Sequence, residues 1–457
     1  MIDRIRPLFT TLSTEDSAAP LAGFGIFFGF MMLVSVVRFA AYGWINTVYI
    51  EPDFHFTYFG FAWVKPFGEI GMYLVFIAMA LAAICIMLGF LYRLSTVAFF
   101  LLFTYVELLD KTTYLNHYYF VSLVAFILIW LPANRAWSID AWRSPKRFQA
   151  TVPRWTIRIL QLQLAIVYVY AGIAKINPDW MLEAMPLRMW LPAHSDLPLI
   201  GSYFTKTWVA YLFSWFGMVY DLTIPFFLLY RPTRLWAYAA VVVFHVLTWV
   251  LFPIGMFPFI MIGATLIFFS PQWHMRWLNR LWPAIWKPEP SIQPTTRFRM
   301  PTLGLYGIGL FLVFQLLFPF RYLAYPGELF WTEEGYRFSW RVMLIEKAGY
   351  VTFKVKDPAT GREGEVWPSD YLTKFQEKQM STQPDMILEF AHFIAAEYQE
   401  LGIESPEVRA EAYVTLNGHR SRLLIDPEVD LVKEKDSFAP KTWILPFEKS
   451  NAFANSQ

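Results

Sequence analysis

The 457-residue chain is 56% hydrophobic and 19% aromatic, only 16% charged, and its mean hydropathy is +0.38. Soluble domains carry roughly a quarter of charged residues, so the composition points to a bilayer before any other setting. The net charge of +2 comes from basic residues scattered between apolar runs, which excludes a nucleic-acid surface.

Met1 to Pro20 is polar and mixed in charge. It lacks the apolar core and small-residue cleavage site of a signal peptide, so the first membrane helix is expected to be uncleaved. Apolar runs able to cross about 30 Å of hydrocarbon then follow at Leu21–Tyr42, Ile70–Tyr92, Leu94–Leu109, Tyr118–Leu131 and Trp155–Lys175. Val209–Leu229, Leu235–Phe252, Ile254–Phe269 and Thr302–Leu323 complete a set of about nine transmembrane helices. The pair from 235 to 269 is joined only by Pro253, which allows a partly re-entrant hairpin. The lone cysteine, Cys85, lies within a run and reads as a small buried hydrophobe; it excludes an intramolecular disulfide.

Lysine and arginine alternate between loops. Arg4 and Arg6 precede the first run, and Arg93, then Arg135, Arg143, Lys146, Arg147, Arg154 and Arg158, then Arg231 and Arg234 follow in alternate connections. Arg276, Arg280, Lys287, Arg297 and Arg299 precede the last run, while the other connections carry mainly acidic residues such as Glu51, Asp53 and Asp179. Under the positive-inside rule this places the N-terminus in the cytoplasm and the C-terminal part outside.

Beyond Leu323 charged residues become frequent, so the chain divides into a membrane part, 1–324, and a polar domain, 325–457. Tyr350–Val355 and Gly364–Trp367 read as a hairpin with a longer loop. Tyr413–Leu416 and Arg422–Ile425 flank Asn417-Gly418, a two-residue hairpin signal. Pro384–Leu401 has its apolar residues at helical spacing. The expected fold is an all-α polytopic membrane bundle followed by a small, β-rich α+β extracytoplasmic domain.

An ionisable group at the end of an apolar run is costly and is a functional candidate on that ground. Lys175 ends the run from Leu164 and is followed by Ile176-Asn177-Pro178-Asp179-Trp180. It reads either as a lysine that snorkels to headgroups or as one kept in a poorly hydrated site, where it loses its charge readily and serves as a general base. Asn116 and His117 lie in a polar connection on the same side, and His245 sits within an apolar run where its imidazole needs a partner. Phe257, Phe259, Trp249 and Tyr170 are candidate walls for a flat apolar ligand. The seven histidines are scattered without close Cys, Asp or Glu neighbours, so no metal site is expected.

These segments resemble the vitamin K-dependent gamma-glutamyl carboxylases. The similarity is carried by Leu109-Asp110-Lys111-Thr112 leading to Asn116-His117, by Tyr170-Ala171-Gly172-Ile173-Ala174-Lys175-Ile176-Asn177-Pro178-Asp179-Trp180, and by Phe244-His245. Leu251-Phe252-Pro253-Ile254-Gly255-Met256-Phe257, Ser270-Pro271-Gln272-Trp273, Gly335-Tyr336-Arg337-Phe338-Ser339-Trp340 and Asp426-Pro427-Glu428-Val429-Asp430 extend it.

The resemblance implies an enzyme that deprotonates reduced vitamin K, takes up O2, removes the gamma proton of a protein or peptide glutamate and adds CO2, with the quinone epoxide as by-product. It implies Lys175 as the base, His117 and Asn116 as its support, His245, Met256 and Phe257 at the quinone, and Tyr336, Trp340 and Lys347 at the glutamate. Lys347 stands where the family has an arginine, and Cys85 alone cannot form the disulfide of animal members. A short chain with one cysteine fits a bacterial inner membrane, with a quinone reductase to recycle the cofactor. Two rivals use the same features: a quinone-binding oxidoreductase or epoxidase without a protein substrate, and a transporter or membrane scaffold. Few intramembrane charges and no inverted repeat weigh against transport.

Overall fold

A computed structural model describes residues 14–281 and 302–448. Arg4, Arg6, Lys287, Arg297 and Arg299 of the charge pattern lie outside the described residues. Seven helices among the described residues are long and apolar enough to cross a membrane. In chain order, α1 is Ala19–Ala41, α2 Gly68–Leu88 and α3 Tyr92–Leu109. Then come the shorter α4, Asn116–Trp130, followed by α5, Trp155–Ala174, α6, Thr207–Leu229, and α7, Arg234–Leu251. A second short apolar helix, α8 (Phe257–Ala264), continues as a 3₁₀ turn to Phe268; α9 is Pro271–Leu281 and α10 Thr302–Leu317. The expected run Ile70–Tyr92 breaks early, because Gly89 turns left-handed (φ 60°) and Leu91 starts a new helix.

The two short helices position the site. Phe257–Phe268 rises about 20 Å, against about 30 Å of hydrocarbon. Its far end reaches Ile267, whose carbonyl accepts from Gln161 Nε2 at 3.0 Å near the start of α5. A helix of that length falls short of a full crossing, which leaves its near end at Phe257 recessed. Asn116 and His117 open α4, which is short for the same crossing. Close packing brings α5 against α6: a Cβ on Gly172 would lie 2.8 Å from the backbone N of Leu222.

Two short strands, β1 (Glu15–Ser17) and β2 (Thr151–Pro153), pair antiparallel, and the C-terminal part contains an antiparallel sheet in the order β4-β3-β5-β6, with β3 at Lys347–Lys356, β4 at Glu363–Val366, β5 at Glu407–Leu416 and β6 at Arg422–Leu423. Strand β5 alternates intermediate and buried positions throughout, and its buried Val408, Ala410, Ala412 and Val414 share one core with α11, Pro384–Glu400. The β3–β4 hairpin forms as expected. The second hairpin does not close on two residues: Val414 pairs with Arg422, leaving a longer loop around Asn417-Gly418. Asn417 is held there by other work. Its Oδ1 accepts from Glu346 N and its Nδ2 donates to Asp179, each at 2.9 Å.

The sheet domain is tied to the helical part by buried polar contacts. Lys111 Nζ sits 3.0 Å from Asp385 and 2.9 Å from Glu389. Glu389 also accepts from Thr57 N and Oγ1, and Gln376 Nε2 donates to Phe54 O and Asp110. Asp385 continues to Arg337 at 2.7 Å. Burial alone would raise the Asp385 carboxyl, but Arg337 and Lys111 outweigh it and hold it well below the usual carboxylate range. Asp110-Lys111, part of the sequence resemblance, thus serves as a fastening between the two parts.

Candidate active site

Lys175 caps the C-terminal end of α5, and Asn177 immediately starts the next turn by accepting from Trp180 N at 2.9 Å. Trp180 is fixed by Nε1 donation to Ser214 O on α6, and its ring lies 5.4 Å from Lys175 Nζ. The lysine is buried, 6% exposed, so it does not snorkel to headgroups. Nor is it alone in an apolar setting. Its Nζ donates to Asp221 Oδ2 at 2.7 Å and lies 3.3 Å from Ala171 O. Asp221 is 5% exposed within α6 and has the lysine as its ion pair.

Around this pair lies a cavity walled by Val167, Phe213, Phe244, Phe252, Phe257 and Met261, among others. His245 enters it from α7. One ring nitrogen, Nε2, shares a 2.9 Å hydrogen bond with Tyr168 Oη, while Nδ1 is buried with no partner among the described residues. The chamber has a free volume near 90 Å³, below the about 300–1,000 Å³ of ordinary ligand pockets.

A second chamber of ≈600 Å³ adjoins it, lined by Arg38, Asn116, His117, Trp249, Gly255 and Met256 among others. Phe252, Ile254, Phe257, Val342 and Met343 line both chambers and form the partition. Phe257 is its centre: its ring centroid lies 5.8 Å from that of His117 and 5.6 Å from that of His245. The expected residues therefore meet across one phenylalanine, with Lys175 and His245 on one side and Asn116, His117 and Met256 on the other.

The family models match in two consecutive blocks: the HTTM domain over residues 14–273, more than half the chain, and the vitamin K-dependent gamma-carboxylase lumenal domain over residues 300–450. The chain belongs to the vitamin K-dependent gamma-carboxylase family. It is a multi-pass membrane protein with a lumenal-type domain. No solved structure matches the chain.

In this carboxylase-family chain the lumenal-type residues reach the chambers indirectly. Trp340 is fully buried and stacks on Tyr119 at 4.9 Å, and Tyr336 packs beside Phe330. Neither lines a chamber, but Val342 and Met343 in the same segment line both. The carbonyl of Arg341 accepts from Asn116 Nδ2 at 3.0 Å and from Tyr336 Oη at 3.4 Å, which links the two parts at the site. Lys347 is engaged at every donor, by Glu333 Oε1, Trp331 O and Thr382 O at 2.9 to 3.0 Å. Of the other candidate walls, Trp249 lines the larger chamber, whereas Tyr170 turns away to bond Leu316 O on α10.

Sequence reasoning missed Asp221, although an acid within Val209–Leu229 carried the same signal that selected Lys175. It also missed Tyr168, the partner of His245. Among the described residues no group of three His, Cys, Asp or Glu side chains is placed to hold a metal ion. The residues do fit a quinol: apolar walls, few convergent polar groups, and a buried imidazole nitrogen left without a partner.

Proposed function

We propose that the chain is a vitamin K hydroquinone-dependent gamma-glutamyl carboxylase that adds CO2 to a glutamate of a protein or peptide, with O2-dependent epoxidation of the quinol. The observation that carries this reading is the buried Lys175–Asp221 pair in an apolar chamber walled by His245 and Phe257. When bound, the quinol supplies the reducing power and, after oxidation, the strong base.

Lys175 takes the hydroquinone proton. Because Nζ lies against a carboxylate, its free amine is generated by moving one proton over 2.7 Å to Asp221. His245, held by Tyr168, presents Nδ1 to a quinol oxygen. His117 and Asn116 face the larger chamber, where Asn116 is oriented by Tyr114 and the Arg341 carbonyl. Tyr336 and Trp340 shape the segment that brings the glutamate to the partition, and Lys347 fixes the strand behind it. The arginines at the end of the bundle remote from the sheet domain support a cytoplasmic N-terminus, with that domain in the periplasm of a bacterial inner membrane and a quinone reductase recycling the cofactor.

Purified full-length protein incubated with reduced vitamin K, O2, labelled bicarbonate and a Glu-containing peptide should give both carboxylated peptide and epoxide. Lys175→Ala should lose both by about 10²- to 10⁴-fold, and Lys175→Arg should not rescue, since a guanidinium stays protonated. Normal turnover by the alanine variant removes the base assignment. Epoxide without carboxylation favours the quinol epoxidase without a protein substrate.

A further inference from the structure

At the end of the helical bundle remote from the sheet domain, a cavity of ≈310 Å³ opens between α5, the α6–α7 connection and the start of α9. Arg154, Arg158, Arg231 and Arg234 all line it, against one carboxylate, Asp16. Asp16 is committed to Arg154 at 3.3 Å. Arg234 is turned inward by donation to Leu228 O and Leu229 O, and Arg158 rests on Gln161 Oε1 at 2.8 Å. Among the described residues neither Arg158 nor Arg231 has a carboxylate partner, and both are exposed.

Four guanidinium groups around one cavity repel each other unless an anion lies between them. The inner wall is apolar, formed by Ile157, Ile267 and Phe268. Ser270, Pro271 and Gln272 bring the N-terminal end of α9, eleven residues long, to the rim; Trp273 N and His274 N are already taken by Ser270, so what this end adds to the arginines is the positive end of the helix dipole. We propose that this cavity is a binding site for a phosphate group, held by Arg158 and Arg231 with Arg234 behind them. Guanidinium forks match phosphate oxygens bidentately, and a basic pocket between membrane helices at an apolar wall suits an anionic phospholipid headgroup. The same oxygens on free phosphate would be bound by the same groups.

The test uses the full chain purified in mixed micelles of phosphatidylcholine and phosphatidylglycerol, with native mass spectrometry reading retained lipid and thermal unfolding reading added inorganic phosphate. Phosphatidylglycerol should be retained over phosphatidylcholine. In Arg158→Gln/Arg231→Gln its affinity should fall about fivefold per arginine removed, with elution and turnover unchanged. Arg276→Gln, an exposed arginine of α9 outside the cavity, should leave retention as in the parent. If free phosphate is the natural occupant, inorganic phosphate raises the unfolding temperature of the parent but not of the double variant, and no lipid is retained selectively. Retention equal in parent and double variant, together with no phosphate effect on either, overturns the site.

Discussion

Removing one partner of the Lys175–Asp221 pair should be worse for the fold than removing both. The side chains are 8% and 6% exposed and their charged atoms are 2.7 Å apart. At an effective dielectric near 20 their direct attraction is about 6 kcal/mol, most of which offsets the lost hydration of two ions. Breaking such a pair from one side costs about 3–5 kcal/mol, because the remaining charge is stranded, whereas an apolar pair of similar size is often neutral. Lys175→Met and Asp221→Leu should therefore each lower the unfolding temperature of the detergent-solubilised protein, and the double variant should recover most of the loss. The cycle should give a coupling of about 2 kcal/mol or more, well outside the 0.3–0.5 kcal/mol scatter of roughly independent sites. All three variants should lack turnover. Additive single effects would refute the pairing, and turnover by Asp221→Leu would show that Lys175 sheds its proton without the carboxylate.

Asp385→Asn should loosen the sheet domain by about 3 kcal/mol, read as faster proteolysis between the two parts; unchanged proteolysis removes Lys111–Asp385–Arg337 as the fastening. Since the Asp385 carboxyl is depressed in the folded chain, its contribution is complete above the ordinary carboxylate pKa of about 3.9 and is lost as pH falls below it; release of the domain near neutral pH contradicts this. Burial lowers His274 to about 4 although its Nε2 lies 3.0 Å from Leu266 O. The unfolded state then binds more protons between that value and about 6.5, so stability should rise with pH across that window, and His274→Gln should flatten the slope. Tyr336→Phe and Trp340→Phe should reduce peptide carboxylation more than quinol epoxidation; equal losses would place both residues with the oxygen chemistry.

The helical bundle was legible because hydrocarbon thickness imposes long apolar runs, and seven of the nine expected segments form helices long enough to cross among the described residues. One of the two short ones is informative. Ile254–Phe269 has the composition of a span, yet its helix begins at Phe257, because Pro253 and Gly255 (φ 60°) hold the preceding turn open. In the sheet domain, Asn417-Gly418 has the residues of a tight hairpin, but Asn417 binds Glu346 within the domain and Asp179 across the domain junction. A local signal was overruled by a contact 238 positions away.

The same distinction separates what was readable at the site from what was not. Lys175 stood out because a charge ending an apolar run is conspicuous, but its chemistry depends on Asp221, 46 positions later. That pairing exists because Gly172 lets α6 approach to backbone contact. The partition is likewise a product of tertiary structure. Phe257 comes from a recessed helix start, whereas Val342 and Met343 come from the segment that enters the sheet domain, and no local pattern brings them together. Docking of that domain is consequently part of the site. The Arg341 carbonyl orients Asn116, and Arg337, four residues earlier, is fixed by Asp385, which in turn holds Lys111 at the base of α4. A break in the Lys111–Asp385 contact therefore reaches both chambers through two short chain segments, so weakening the fastening should also impair the chemistry.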